Sequence, residues 1–116
     1  MNVSRGSFRL DEPTTVVFDS NGGGTSYLGP QAARESWSIS FISVTSTSTT
    51  SVPSVRFYRG SVVPSNFVTG TYTGTLDVDS QPNVMLRSGE RLYGVWEGGD
   101  PNAQGTFRIE GVRNIL

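Results

Sequence analysis

Apolar residues in this 116-residue chain never run far: they come in short stretches that alternate with polar residues and are cut by glycine, proline or asparagine. A period of two marks a strand with one face buried, whereas an amphipathic helix repeats near 3.6. The pattern is clearest over 37–45. Trp37, Ile39 and Phe41 share one parity, and Ile42 and Val44 then carry the other. A single change of parity inside a strand points to a β-bulge or to a strand crossing between sheets. Composition agrees with this reading, since Ser and Thr fill 28 positions and Gly 14, which weakens helices and suits strands joined by turns.

Cutting the chain at its turn residues predicts a short strand at 7–10, a break at Pro13, and a second strand at 14–19. Asn21-Gly22-Gly23-Gly24 reads as a hairpin turn, with 25–28 as the returning strand and Gly29-Pro30 ending it. Segment 31–35 is the one place that suits a helical turn. The Ser/Thr run 45–51 reads as a loop or an exposed strand extension. After Pro53 comes a strand with Val55 and Phe57 inside and Arg56 and Tyr58 outside, then an irregular connection over 61–70. Further strands are expected at 71–79, from Val84, at 91–97 and at 105–112, the last with Phe107 and Ile109 inside and Arg108 and Glu110 outside. Eight or nine strands at regular spacing predict an all-β antiparallel sandwich, jelly-roll-like, in a single domain 1–116 with 1–13 as an N-terminal strand or arm. A chain of this length can bury a sufficient core without staples, and with no cysteine it has none.

The chemistry available is narrow. Histidine, cysteine and lysine are all absent, which removes the usual general base, the common metal-binding side chains and the Schiff-base nucleophile. The expectation is a protein that is not an enzyme, with no catalytic, cofactor or metal residues. Asp77 and Asp79 stand at i and i+2, about 7 Å apart on one strand face, a separation an inverting glycosidase could use; two solvated acids on a surface strand account for them as well. The same pair opens an Asp77-x-Asp79-x-Gln81 pattern that fails as a calcium loop, because Pro82 and Ser88 stand where glycine and glutamate belong. The Gly22-Gly23-Gly24 run lacks the following helix of a phosphate loop. Tyr27, Trp37, Tyr58, Tyr72, Tyr93 and Trp96 could form a sugar-stacking platform; the two tryptophans sit in apolar strands and are expected to pack, leaving Tyr58 and Tyr72 as the better candidates for exposure. Nine basic and ten acidic residues and a pI near 5.2 disfavour a nucleic-acid partner. No stretch approaches the roughly 20 apolar residues of a membrane span, so no membrane partner is expected.

The order of motifs resembles small structural proteins of tailed bacteriophages that infect actinobacteria. Gly29-Pro30 is followed by Trp37 opening a strand, the Ser/Thr run, and Val55-x-Phe57-Tyr58-Arg59-Gly60. Then come Gly70-Thr71-Tyr72-Thr73-Gly74 with Asp77, Leu86-x-x-Gly89-Glu90-x-Leu92, Val95-Trp96-x-Gly98-Gly99, and a closing Phe107-Arg108-Ile109-Glu110-Gly111. These residues are turn glycines and core aromatics spread over about 14–113, so the likeness speaks for fold and context. It implies a virion component assembled in the host cytoplasm, of the head-decoration or minor-tail type, whose partner is the major capsid protein or a tail protein of the same phage. A homo-oligomer, a trimer among the possibilities, fits such a lattice. The expected interface anchors are Tyr58, Arg59, Tyr72, Arg108 and Arg113, since aromatic and arginine side chains carry most interface energy. The alternative is a carbohydrate-binding module, or a minor tail protein, that meets host glycans.

Overall fold

The computed structural model describes residues 6–71, 74–77 and 84–115. Among the described residues nine strands follow in order: β1 Gly6–Val17, β2 Gly24–Leu28, β3 Glu35–Ser46, β4 Ser54–Arg59, β5 Phe67–Thr71, β6 Gly74–Asp77, β7 Met85–Leu86, β8 Leu92–Glu97 and β9 Gln104–Ile115, with one turn of 3₁₀ helix at Pro64–Asn66. They form two antiparallel sheets. The larger runs β1-β9-β3-β6, and β7 pairs with β3 on the same flank as β6; the smaller runs β2-β8-β4-β5. The predicted all-β sandwich is what the chain forms.

Packing follows the alternation seen in the sequence. Ile42, Val44, Phe107 and Ile109 of the larger sheet face Val55, Phe57, Leu92 and Trp96 of the smaller, and all eight are buried. Phe57 and Phe107 meet edge to face across the layers at 5.1 Å between ring centroids, a geometry favoured by the ring quadrupole. The parity change in β3 is a bulge: its register against β9 shifts between Ile39 and Phe41, so Ile39 and Ile42 both point into the core while Phe41 lies outside. Trp37 and Trp96 are both core residues, as expected.

Several expectations are corrected. Pro13 does not break the first strand; β1 runs through it for 12 residues. It can do so because β1 is an edge strand, paired only with β9, and proline costs no ladder bond where its nitrogen faces away from the neighbour. Asn21-Gly22-Gly23-Gly24 is a turn but not a hairpin: β2 pairs with β8 in the opposite sheet. Phe18, buried against Trp96 at 5.5 Å, closes the end of the sandwich, and the chain passes around it into the second layer. Gly22 lets this happen, having φ +80° and lying so close to the Gly99 carbonyl that a Cβ would collide with it. Segment 31–35 forms turns without helix, with Arg34 left-handed at φ 65°. The connection 61–70 is more regular than expected, holding the 3₁₀ turn and most of β5. Thr71 therefore ends β5 and does not begin the next strand, which is β6 at Gly74–Asp77.

The Ser/Thr run leaves β3 after Ser46 and becomes a tethered loop. The Asp100 carboxylate accepts the backbone N–H groups of Thr49, Thr50 and Ser51 at 2.8–2.9 Å, and the Asp100 N–H donates to Ser48 Oγ at 2.9 Å. One carboxylate thus ties the β3–β4 loop to the β8–β9 turn. These bonds, led by that from Thr50, hold its pKa down at about 2.

Candidate interaction surface

Local parity decides what each sheet shows to solvent. In β8, Leu92, Gly94 and Trp96 point inward, so Tyr93, Val95 and Glu97 point outward. In β4, Val55 and Phe57 point inward, so Arg56 and Tyr58 point outward. The register then aligns four rings. Tyr27 stands opposite Tyr93, Tyr93 opposite Tyr58, and Tyr58 opposite Phe67. One aromatic side chain from every strand of the smaller sheet lies in a single row, spanning about 14 Å at the usual strand spacing.

The row makes its own contacts and stays accessible. The rings of Tyr27 and Tyr93 are 5.7 Å apart, and those of Tyr58 and Phe67 are 5.8 Å apart in a T-shape. Cross-strand aromatic pairs of this kind contribute about 0.2–1 kcal/mol each to a sheet. Yet Tyr27 is 46% exposed and Phe67 50%. Single exposed apolar residues need no explanation, whereas a row of rings on one sheet face is a candidate contact surface.

Arginines collect where this row meets one end of the sandwich. The Arg91 guanidinium lies over the Tyr27 ring, 4.2 Å from its centroid, within cation–π range. Arg59 follows Tyr58 at the end of β4, and its Nη1 donates to the Met85 carbonyl at 3.3 Å. The Gly60 N–H donates to the Arg91 carbonyl at 2.8 Å, which ties the two strand ends together. A groove of about 560 Å³ opens there between Arg59, Met85, Arg87, Ser88 and Glu90. A second of about 300 Å³ lies on the other side of this connection, against Tyr27, Gln31 and Arg91. Glu90 accepts the Arg87 backbone N–H at 2.8 Å.

The anchors expected from sequence do not converge. Tyr58 lies on this surface, half-buried against Phe67; Arg59 pairs with Leu92 and shares the inward parity of Val55 and Phe57, so it lies at the end of the sandwich between the sheets, where it meets the Met85 carbonyl. Arg108 is on the outer face of the other sheet, 3.5 Å from Asp11. Arg113 is on the core-facing side of that sheet near its end, where its guanidinium sits 5.7 Å from the Phe8 ring centroid and its Nε is buried without a hydrogen-bond partner among the described residues. Tyr72 lies outside the described residues. Of the two acids weighed as a glycosidase pair, Asp77 pairs with Phe41 in β6 and Asp79 lies outside the described residues. Sequence reasoning counted Tyr27, Tyr93 and Tyr58 among six aromatics for a stacking platform, but it missed Phe67 and the alignment of these four rings. The outward parity of Tyr27 and Tyr93 was available in their strands; the register that aligns them was not.

No protein-family model matches this chain, and no curated protein matches it. Among solved structures it is similar to a protein of the Bacillus endospore appendages, disulfide-linked pili, at 16% identity and TM-score 0.44, over 100% of this chain and 94% of that one. It is also similar to a chain of Turnip Yellow Mosaic Virus at 13% identity and TM-score 0.45, over 97% and 94%. A third likeness is to Desmodium yellow mottle tymovirus at 10% identity and TM-score 0.41, over 99% and 90%. The β-rich proteins to which this chain is similar in outline thus come from a pilus and from two viruses.

Proposed function

We propose that this chain is a non-enzymatic structural subunit of a bacteriophage particle, a capsid decoration or minor capsid protein that binds the particle surface through protein–protein contacts. The observation that carries the reading is the row Tyr27, Tyr93, Tyr58 and Phe67 with Arg91 at its end: tyrosine, phenylalanine and arginine side chains on a half-accessible sheet face are the composition of an interface core. The resemblance of its motif order to phage structural proteins supports the same reading. The test is direct. Purified particles are resolved by mass and this protein is quantified against the major capsid protein; then the Tyr27→Ser, Phe67→Ser double variant is added to particles lacking the protein. A copy number commensurate with the capsid lattice, together with loss of binding in the variant, is expected. A particle without the protein would overturn the assignment.

A second reading has one specific observation behind it. The Tyr27 ring, the overlying Arg91 and the groove beside them also suit a sugar face with a polar substituent, as a minor tail protein or glycan-binding module would need. A copy number matching the tail, with capture by host cell-wall material, would favour it.

A further inference from the structure

We infer that the docking partner of the aromatic row is an acidic protein surface, and that Arg59 and Arg87, with the Ser88 hydroxyl, form the groove that receives its carboxylates. The inference rests on the docking reading above and adds the chemistry of the partner.

Both ion pairs among the described residues involve Asp11, one with Arg9 and one with Arg108, on the outer face of the larger sheet. At the end of the smaller sheet, Arg59, Arg87 and Arg91 form no ion pair with any described residue. Arg91 is spent on the Tyr27 ring. Arg59 uses one N–H on the Met85 carbonyl, leaving the rest of a guanidinium that carries five. Among the described residues that line the groove, the one carboxylate, Glu90, accepts the Arg87 backbone N–H. Among the described residues, two arginines and one serine therefore line an opening of about 560 Å³ together with Glu90 and Met85.

Guanidinium forks match carboxylates in a bidentate geometry. Set at the end of the sandwich, one residue along β4 from Tyr58, they describe a partner that covers the rings and reaches over the sheet end with acidic residues. A charge at the rim of such an interface acts mostly on association rate and salt dependence, whereas a central ring acts on the stability of the complex. The two contributions can be separated by experiment.

Particles lacking the protein serve as the probe, and binding of the purified chain is measured at roughly 0.1 M and roughly 1 M salt, where screening lengths are about 10 and 3 Å. The Arg59→Ala, Arg87→Ala double variant is expected to bind about tenfold more weakly at the lower salt and to lose most of the difference between the two conditions. Arg87→Lys, which keeps the charge, should retain most of the salt dependence. The Tyr27→Ser, Phe67→Ser variant should weaken binding at both salts alike. If the arginine variant binds with wild-type salt dependence while the ring variant fails, the acidic-partner inference falls and the docking reading stands. Wild-type protein that binds no particle, or binds host cell-wall glycan in preference, overturns the docking reading and the inference with it.

Discussion

Gly94 lies directly beneath the ring of Phe107: a Cβ built on it would come within 2.7 Å of the Phe107 Cε1 and 3.2 Å of the Phe57 Cε1. The two sheets approach closely here because β8 offers no side chain at the point where the T-shaped Phe57–Phe107 pair is seated. Gly94→Ala is therefore expected to destabilise the fold by about 1–3 kcal/mol, the usual cost of overpacking a core. Chemical denaturation of the variant against wild type measures it; an unchanged midpoint would show that the layers yield.

Asp100 predicts a pH dependence. Its pKa is lowered from 3.8 to about 2 by the backbone N–H groups of Thr50, Thr49 and Ser51 and by Ser48. A carboxyl whose folded pKa lies below its unfolded value contributes stability that is fully present above the unfolded pKa and is lost as pH falls through the folded one. The β3–β4 loop should thus loosen between about pH 4 and pH 2, where the carboxylate is protonated in the unfolded chain and then in the folded one. Thermal unfolding across that window should fall more steeply for wild type than for Asp100→Ala, which starts lower at neutral pH. Parallel profiles would show that the carboxylate does not hold the loop.

Arg108 is expected to matter little for the fold. It is half-exposed and 3.5 Å from Asp11, itself 3.7 Å from Arg9, and exposed pairs of this kind contribute about 0–1 kcal/mol. Arg108→Ala should leave the denaturation midpoint nearly unchanged, and particle binding too, since it lies on the sheet opposite the aromatic row. Loss of binding in this variant would move the docking face to the larger sheet.

Tyr27 and Phe67, at the two ends of the row, should separate docking from folding. Each is about half exposed, so replacing both with Ser is expected to cost the fold only about 1 kcal/mol. Particle binding should fall at least tenfold, equivalent to about 1.4 kcal/mol. Calorimetry of the free variant alongside a particle pull-down distinguishes the two effects.

The amino-acid sequence by itself determined the class of fold and the content of its core. Alternation around Trp37, Ile39, Val55, Phe57, Phe107 and Ile109 is a local property of each strand, and burial follows from it because side chains two apart share a face. The existence of the bulge in β3 was legible for the same reason, as a parity change, but the sequence put that change after Phe41, whereas the register shifts between Ile39 and Phe41 and leaves Phe41 outside. What the sequence did not reveal was partnership. Whether Asn21-Gly22-Gly23-Gly24 turns a strand back on its neighbour or carries it into the other layer depends on where Phe18 finds its cavity against Trp96. Whether Pro13 ends a strand depends on which strand lies at the edge. The candidate surface is of this second kind. Tyr27, Tyr93, Tyr58 and Phe67 become neighbours only through the register of four strands, and a one-residue slip would put them on different rows or opposite faces. Register is settled by the packing of the whole core, so only the tertiary structure could bring those rings together and leave Arg108 and Arg113 on other surfaces.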